Sequence, residues 1–159
     1  MLKQEFATRL KSTIQVCQKH HQRMKYALVS LGDIFPVDAA TYHLFSPEQI
    51  GHTDQFLYRF SQLQDTLGRK LFPLILEGLG EYDQGMAFID MLNRLERLQI
   101  IDSAQQWLDL REIRNLVTHE YPENEKEVVE GLNELHVQSE YLETVLQNST
   151  SYIQSRGWL

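Results

Sequence analysis

The sequence predicts an all-α fold, an up-and-down bundle of four to five helices, and three observations lead there. Apolar residues recur at helical steps of three, four or seven nearly everywhere, while no stretch shows the strict alternation of a half-buried strand. Caps and helix breakers divide that pattern into long segments. The 159 residues are 42% hydrophobic, enough to bury a core, and one domain over residues 1–159 is the expectation for that length.

The first helix is expected over roughly 3–32, where Leu10, Ile14, Cys17, Met24, Leu28 and Leu31 form a seam interrupted at His20 and His21 and closed by Gly32-Asp33. Residues 33–52, with Pro36, Pro47 and Gly51, read as a loop holding one short helical turn, with Ser46 as cap and Pro47 at its first position. Residues 1–50 thus form a long helix plus loop, and 51–150 the remaining core. Thr53 or Asp54 is expected to cap a second helix over roughly 53–78, carrying the stripe Phe56, Phe60, Leu63, Leu67, Leu71 and Leu74. Pro73 lies inside it and should kink or break it near Leu71-Phe72, because proline removes one backbone hydrogen bond.

Gly78, Gly80 and Gly85 mark a turn, followed by a helix over roughly 84–98 with Phe88, Met91, Leu92, Leu95 and Leu98 inward. Asp102 or Ser103 caps the next, with Gln105 or Gln106 three residues on, and Trp107, Leu110, Ile113 and Val117 on its apolar side. Pro122 stops it. Glu123, Glu125 and Glu127 then open the last helix, where negative charge complements the helix dipole, and Val128, Leu132, Leu135, Leu142 and Val145 supply its core face.

With 15 Lys+Arg against 22 Asp+Glu the chain carries a net charge of −7, which argues against nucleic-acid binding through a broad basic face but not against a locally basic site. A single cysteine, Cys17, excludes an intrachain disulfide and suits a reducing, cytoplasmic setting. No secretory leader and no membrane-length apolar run is present, so no membrane partner is expected.

Chemistry concentrates in Arg111-Glu112-Ile113-Arg114-Asn115-Leu116-Val117-Thr118-His119-Glu120-Tyr121. Arg114 is permanently charged and shaped to hold a phosphate through two hydrogen bonds. His119 exchanges a proton near neutral pH. Together they suit metal-free attack of an RNA 2′-hydroxyl on its neighbouring phosphate, with His119 as base or acid, Arg114 stabilising the developing charge and Arg111 supporting it. On an ideal helix a five-residue step leaves Arg114 and His119 roughly 140° apart. Either the helix ends at about Thr118 and His119 turns back, or a second copy of the chain completes the cleft. Asn115, four residues before His119, shares its face and is suited to orient the imidazole. One histidine cannot easily be acid and base at once, so the chemistry favours a homodimer. The bland reading of the stretch is a solvated arginine, an incidental histidine and a packing tyrosine.

At these residues the chain resembles the HEPN family. Arg114-Asn115-Leu116-Val117-Thr118-His119 matches its R-x-x-x-x-H signature, and continuation to Tyr121 resembles the HepT-like toxin branch. The resemblance covers roughly residues 50–150. It implies a helical, dimeric, metal-independent endoribonuclease that acts as a toxin and needs no cofactor. Arg114 and His119 are then catalytic. Tyr121 accepts AMP from an MntA-like minimal nucleotidyltransferase antitoxin, and the added bulk and charge silence the RNA groove. A sister group with a similar motif implies the alternative, a non-catalytic substrate-binding partner of a minimal nucleotidyltransferase.

Other features read as structural. Lys19-His20-His21-Gln22-Arg23-Met24-Lys25 is the most basic stretch; it is a candidate contact for RNA phosphates, but the stronger expectation is a solvated helix face, and its adjacent histidines point about 100° apart. His43 and His52 lie near Asp38, Glu48 and Asp54 without a metal-ligand spacing. Cys17 and Trp107 are expected in the core, no phosphate-binding glycine loop is present, and Trp158 in the tail is a candidate docking element.

Overall fold

The computed structural model describes residues 2–119 and 125–159, and every described element is helical. Helix α1 spans Leu2–Leu31, α2 Ala39–His43, α3 Pro47–Thr66, α4 Phe72–Gly78, α5 Phe88–Arg97, α6 Ala104–His119 and α7 Glu125–Ser155, with a π turn over Leu67–Leu71 joining α3 to α4. The four long helices pack around one core: α1 lies against α3, α3 against α6, α6 against α7, and α7 back against α1. No described helix is long and apolar enough to cross a membrane.

Helix α1 is integral to this core. Leu10, Cys17, Met24, Ala27 and Leu31 are buried along one side of it, mostly against α3, so the first fifty residues supply one wall of the bundle. Burial pushes the Cys17 thiol up to about 12, which keeps it protonated at neutral pH. The interruption of the seam falls at two polar contacts. Arg59 Nη1 donates to His20 Nδ1 at 2.9 Å, and His21 Nε2 lies 3.2 Å from a carboxylate oxygen of Glu143 on α7. Burial and the charges of Arg59, Lys19 and Arg23 hold His20 below its ordinary range, consistent with a neutral ring accepting from the guanidinium. The basic stretch is thus only partly a solvated face.

The region 33–52 departs from the expected loop in two ways. Residues 39–43 form a helix that the apolar pattern does not reveal. Asp38 caps it by accepting from the Thr41 backbone N–H at 2.7 Å. Ser46 and Pro47 do start a helix as expected, but it is α3 itself, not an isolated turn. The Ser46 hydroxyl accepts from the Gln49 N–H while Gln49 Oε1 accepts from the Ser46 N–H, a reciprocal capping box that moves the start six residues ahead of Thr53. The loop itself is tied to α7 by Asn133, whose side-chain amide donates to the Val37 carbonyl and accepts from the Val37 N–H, both at 2.8 Å.

Pro73 acts as a local rearrangement in place of a break. It has no N–H for the Arg69 carbonyl, and its ring crowds that carbonyl. The chain widens one turn ahead, and the Phe72 N–H reaches back five residues to the Leu67 carbonyl. Helix α5 begins at Phe88, four residues later than expected. Ser103 is the cap of α6, accepting from the Gln106 N–H at 3.2 Å. Trp107 is buried, with its ring centroid 5.0 Å from that of Phe72. Trp158 packs edge-on against Phe6 at 5.6 Å and covers Gly78, where an added Cβ would come within 2.6 Å of the indole.

Helices α6 and α7 approach closely at Gly131, where an added Cβ would lie 2.6 Å from Val117 Cγ2. Val117 is buried and β-branched, so it cannot rotate away cheaply. Gly131→Ala is expected to lower the melting temperature. Overpacking costs about 1–3 kcal/mol, against roughly 1 kcal/mol gained in helix propensity. A thermal melt equal to or above the parent would show that Val117 yields.

Candidate functional site

Helix α6 carries the motif against the C-terminal half of α3. Arg114 is buried, its side chain 8% exposed, and its guanidinium is turned into that interface. Its Nη1 donates to Asp65 Oδ1 at 2.7 Å and to the Ser61 carbonyl at 3.3 Å; its Nη2 donates to Asn115 Oδ1 at 3.3 Å. The Thr118 hydroxyl donates back to the Arg114 carbonyl at 2.9 Å. The described helix runs through His119, past Thr118, where one of the two solutions ended it.

An open cleft of about 440 Å³ lies between the two helices. Asp54, Leu57, Tyr58, Ser61 and Asp65 of α3 line one side, and Arg114, Asn115, Thr118 and His119 of α6 the other. Arg114 and His119 therefore border one concavity despite their spacing, because Arg114 reaches sideways to α3 while His119 is exposed at the rim. Asn115 is also at this cleft, but its side-chain oxygen is engaged by Arg114. Arg111 is not at it. Its guanidinium lies over the Phe88 ring, 5.5 Å from the centroid, and lines a small adjoining pit. Tyr121 falls outside the described residues, as do Pro122 and Glu123.

Sequence reasoning missed the α3 side of the cleft. Ser61 and Asp65 stand four apart on one face, a pairing the α3 apolar stripe obscures. The Ser61 hydroxyl is buried and makes no hydrogen bond among the described residues. Such a group ordinarily finds a partner, and leaving it unpaired costs about 1–3 kcal/mol. Near the start of α7, His43 Nε2 lies 2.6 Å from Glu125 Oε1, so the last residue of α2 is tied to α7. Among the described residues no group of three or more His, Cys, Asp or Glu side chains is placed to hold a metal ion.

No protein-family model matches the chain, and no curated protein or solved structure matches it either. The functional reading rests on the motif and the geometry of the cleft.

Proposed function

We propose that this protein is a HEPN-like, metal-independent endoribonuclease of the HepT toxin type, cutting single-stranded RNA at the Arg114/His119 cleft. The observation that carries this reading is that Arg114 and His119 border one open concavity. In the reaction the RNA 2′-oxygen forms a bond to the adjacent phosphorus and the bond to the 5′-oxygen breaks. A histidine accepts the 2′-proton, and an acid donates a proton to the leaving oxygen. A second copy facing the first supplies the second histidine, so the working unit is a homodimer. Arg114, anchored by Asp65, presents its remaining N–H groups to the phosphate.

The test is RNA cleavage with EDTA present. The parent is expected to leave 2′,3′-cyclic phosphate and 5′-hydroxyl ends. No cleavage by folded protein, shown by mass to be unmodified, would move the assignment to the second reading, a non-catalytic substrate-binding partner of a minimal nucleotidyltransferase. That reading is favoured by one observation: Arg114 is held by a carboxylate and is little exposed, as a latch between α3 and α6 would be.

Control by a nucleotidyltransferase antitoxin belongs to the same proposal. With an MntA-like enzyme and ATP, the chain is expected to gain mass in whole AMP units on Tyr121, and the modified protein to lose RNA affinity. Intact-mass spectrometry decides it: a gain that persists in Tyr121→Phe removes this tyrosine from the scheme.

A further inference from the structure

The cleft does not end at Asp65. Asp65 also lines a pit of about 10 Å³ with Gln64, Gly68, Arg69 and Arg111. Arg69 in turn lines a groove of about 880 Å³ between α1 and the α3–α4 junction, with Arg9, Lys70, Glu77, Tyr82 and Asp83. Three concavities therefore lie side by side past the π turn, with Asp65 and Arg69 as their shared wall residues. From Ser61 to Lys70 the path covers about 13 Å of helix at 1.5 Å per residue.

The charges along it are not balanced locally. Asp65 is committed to Arg114, and Glu77 to Arg9 at 2.9 Å. Asp83 accepts from the Gly85 N–H at 3.0 Å, and Asp54 stands at the opposite end, in the cleft. Between them Arg111, Arg69 and Lys70 form no ion pair among the described residues, although the chain as a whole carries −7. The π turn displays Arg69 and Lys70 on the solvent side of a helix whose other face is core. Such turns recur at functional positions.

We infer that this groove is a second phosphate-binding station, which holds the backbone of single-stranded RNA flanking the bond placed at the Arg114/His119 cleft. The inference rests on the ribonuclease reading for its substrate class. Arg69 and Lys70 contact phosphates and carry no base preference, so their contribution is electrostatic and salt-dependent. Tyr82, 40% exposed on the groove wall, offers a face on which a base can stack.

The experiment measures binding of a short 2′-O-methyl oligouridine, which cannot be cut through a 2′-hydroxyl, across a salt series. Three proteins are compared: the parent, Arg69→Gln/Lys70→Gln, and Arg23→Gln/Lys25→Gln. The last carries the same net charge change on the competing basic stretch of α1. The groove variant is expected to bind roughly tenfold more weakly at low salt, with a log–log salt slope shallower by about 1.4, the value for two lost phosphate contacts on a single strand. The α1 variant is expected to match the parent. Equal loss in both variants, or loss only in the α1 variant, overturns the groove. A groove variant that binds as the parent does, while the parent cleaves RNA, sinks this inference alone. A parent that binds no RNA sinks both this inference and the ribonuclease reading. Groove-dependent binding by a parent that does not cleave keeps the groove and removes the nuclease.

Discussion

His119→Ala is expected to abolish metal-free RNA cleavage while leaving the fold and its melting temperature nearly unchanged. The two halves of that expectation have separate grounds. His119 is exposed at the last described turn of α6 and lies outside the buried core, so truncating it removes little packing. Surface changes of this kind usually stay within about 0.5 kcal/mol, a shift of roughly 1–2 °C for a chain of this size. Positioned proton transfer, by contrast, contributes about 10²–10⁴-fold to a rate. In a dimeric site one substitution removes both the base and the acid, so the loss should reach the detection limit. His119→Gln keeps a hydrogen-bonding side chain without the titratable ring and should be equally inactive. Gel analysis of a labelled RNA in EDTA, beside thermal melts of the three proteins, checks both halves. A His119→Ala protein that cuts as well as its parent removes the histidine from the chemistry.

How far the sequence reaches is clearest where local signals are strong. The span of α1 and the Ser103 cap of α6 follow from apolar period and capping chemistry, both short-range. The early start of α3 was written in the same signals, since Ser46, Pro47 and Gln49 form a complete capping box; the flanking loop composition masked it. The π turn needed more. Pro73 announces a disturbance, but whether a helix breaks or widens depends on what surrounds it. Here a Cβ added at Gly68 would meet Phe88 and Trp107 at 3.5 Å, so the turn lies close against α5 and α6.

The site divides in the same way. Arg114 and His119 stand out as residue types, and their separation around an ideal helix pointed toward an early helix end or a second chain. Within one chain the two meet at a cleft through α3, whose Asp65 draws the guanidinium sideways. That contact links residues 49 positions apart, and no periodicity within α6 encodes it. The same long-range geometry set Arg111 apart from Arg114 and gave it to the pit beside Phe88.

The Arg114–Asp65 pair gives the second large expectation, because it separates latch from catalyst. Arg114→Ala leaves Asp65, 37% exposed on its side chain, without its ion-pair partner and deprives the Ser61 carbonyl of its donor. Breaking a fully buried pair typically costs 3–5 kcal/mol; with one partner open to solvent, about 2 kcal/mol is the expected loss. That corresponds to a melting temperature lower by roughly 4–8 °C. Asp65→Ala alone also destabilises, since it strands the more deeply buried guanidinium. The double variant Arg114→Ala/Asp65→Ala leaves neither charge stranded, so its loss should be smaller than the sum of the two single losses. A coupling of about 1–3 kcal/mol is expected from the cycle. Cleavage discriminates where stability does not. If Arg114 holds the scissile phosphate, activity is lost in both proteins that lack it, and the stability regained in the double variant brings none back. If the arginine is only a latch, activity follows stability and returns with it. Chemical denaturation and RNA cleavage measured on the same four proteins decide between them, and additive losses in stability would show that the pair does not couple α3 to α6.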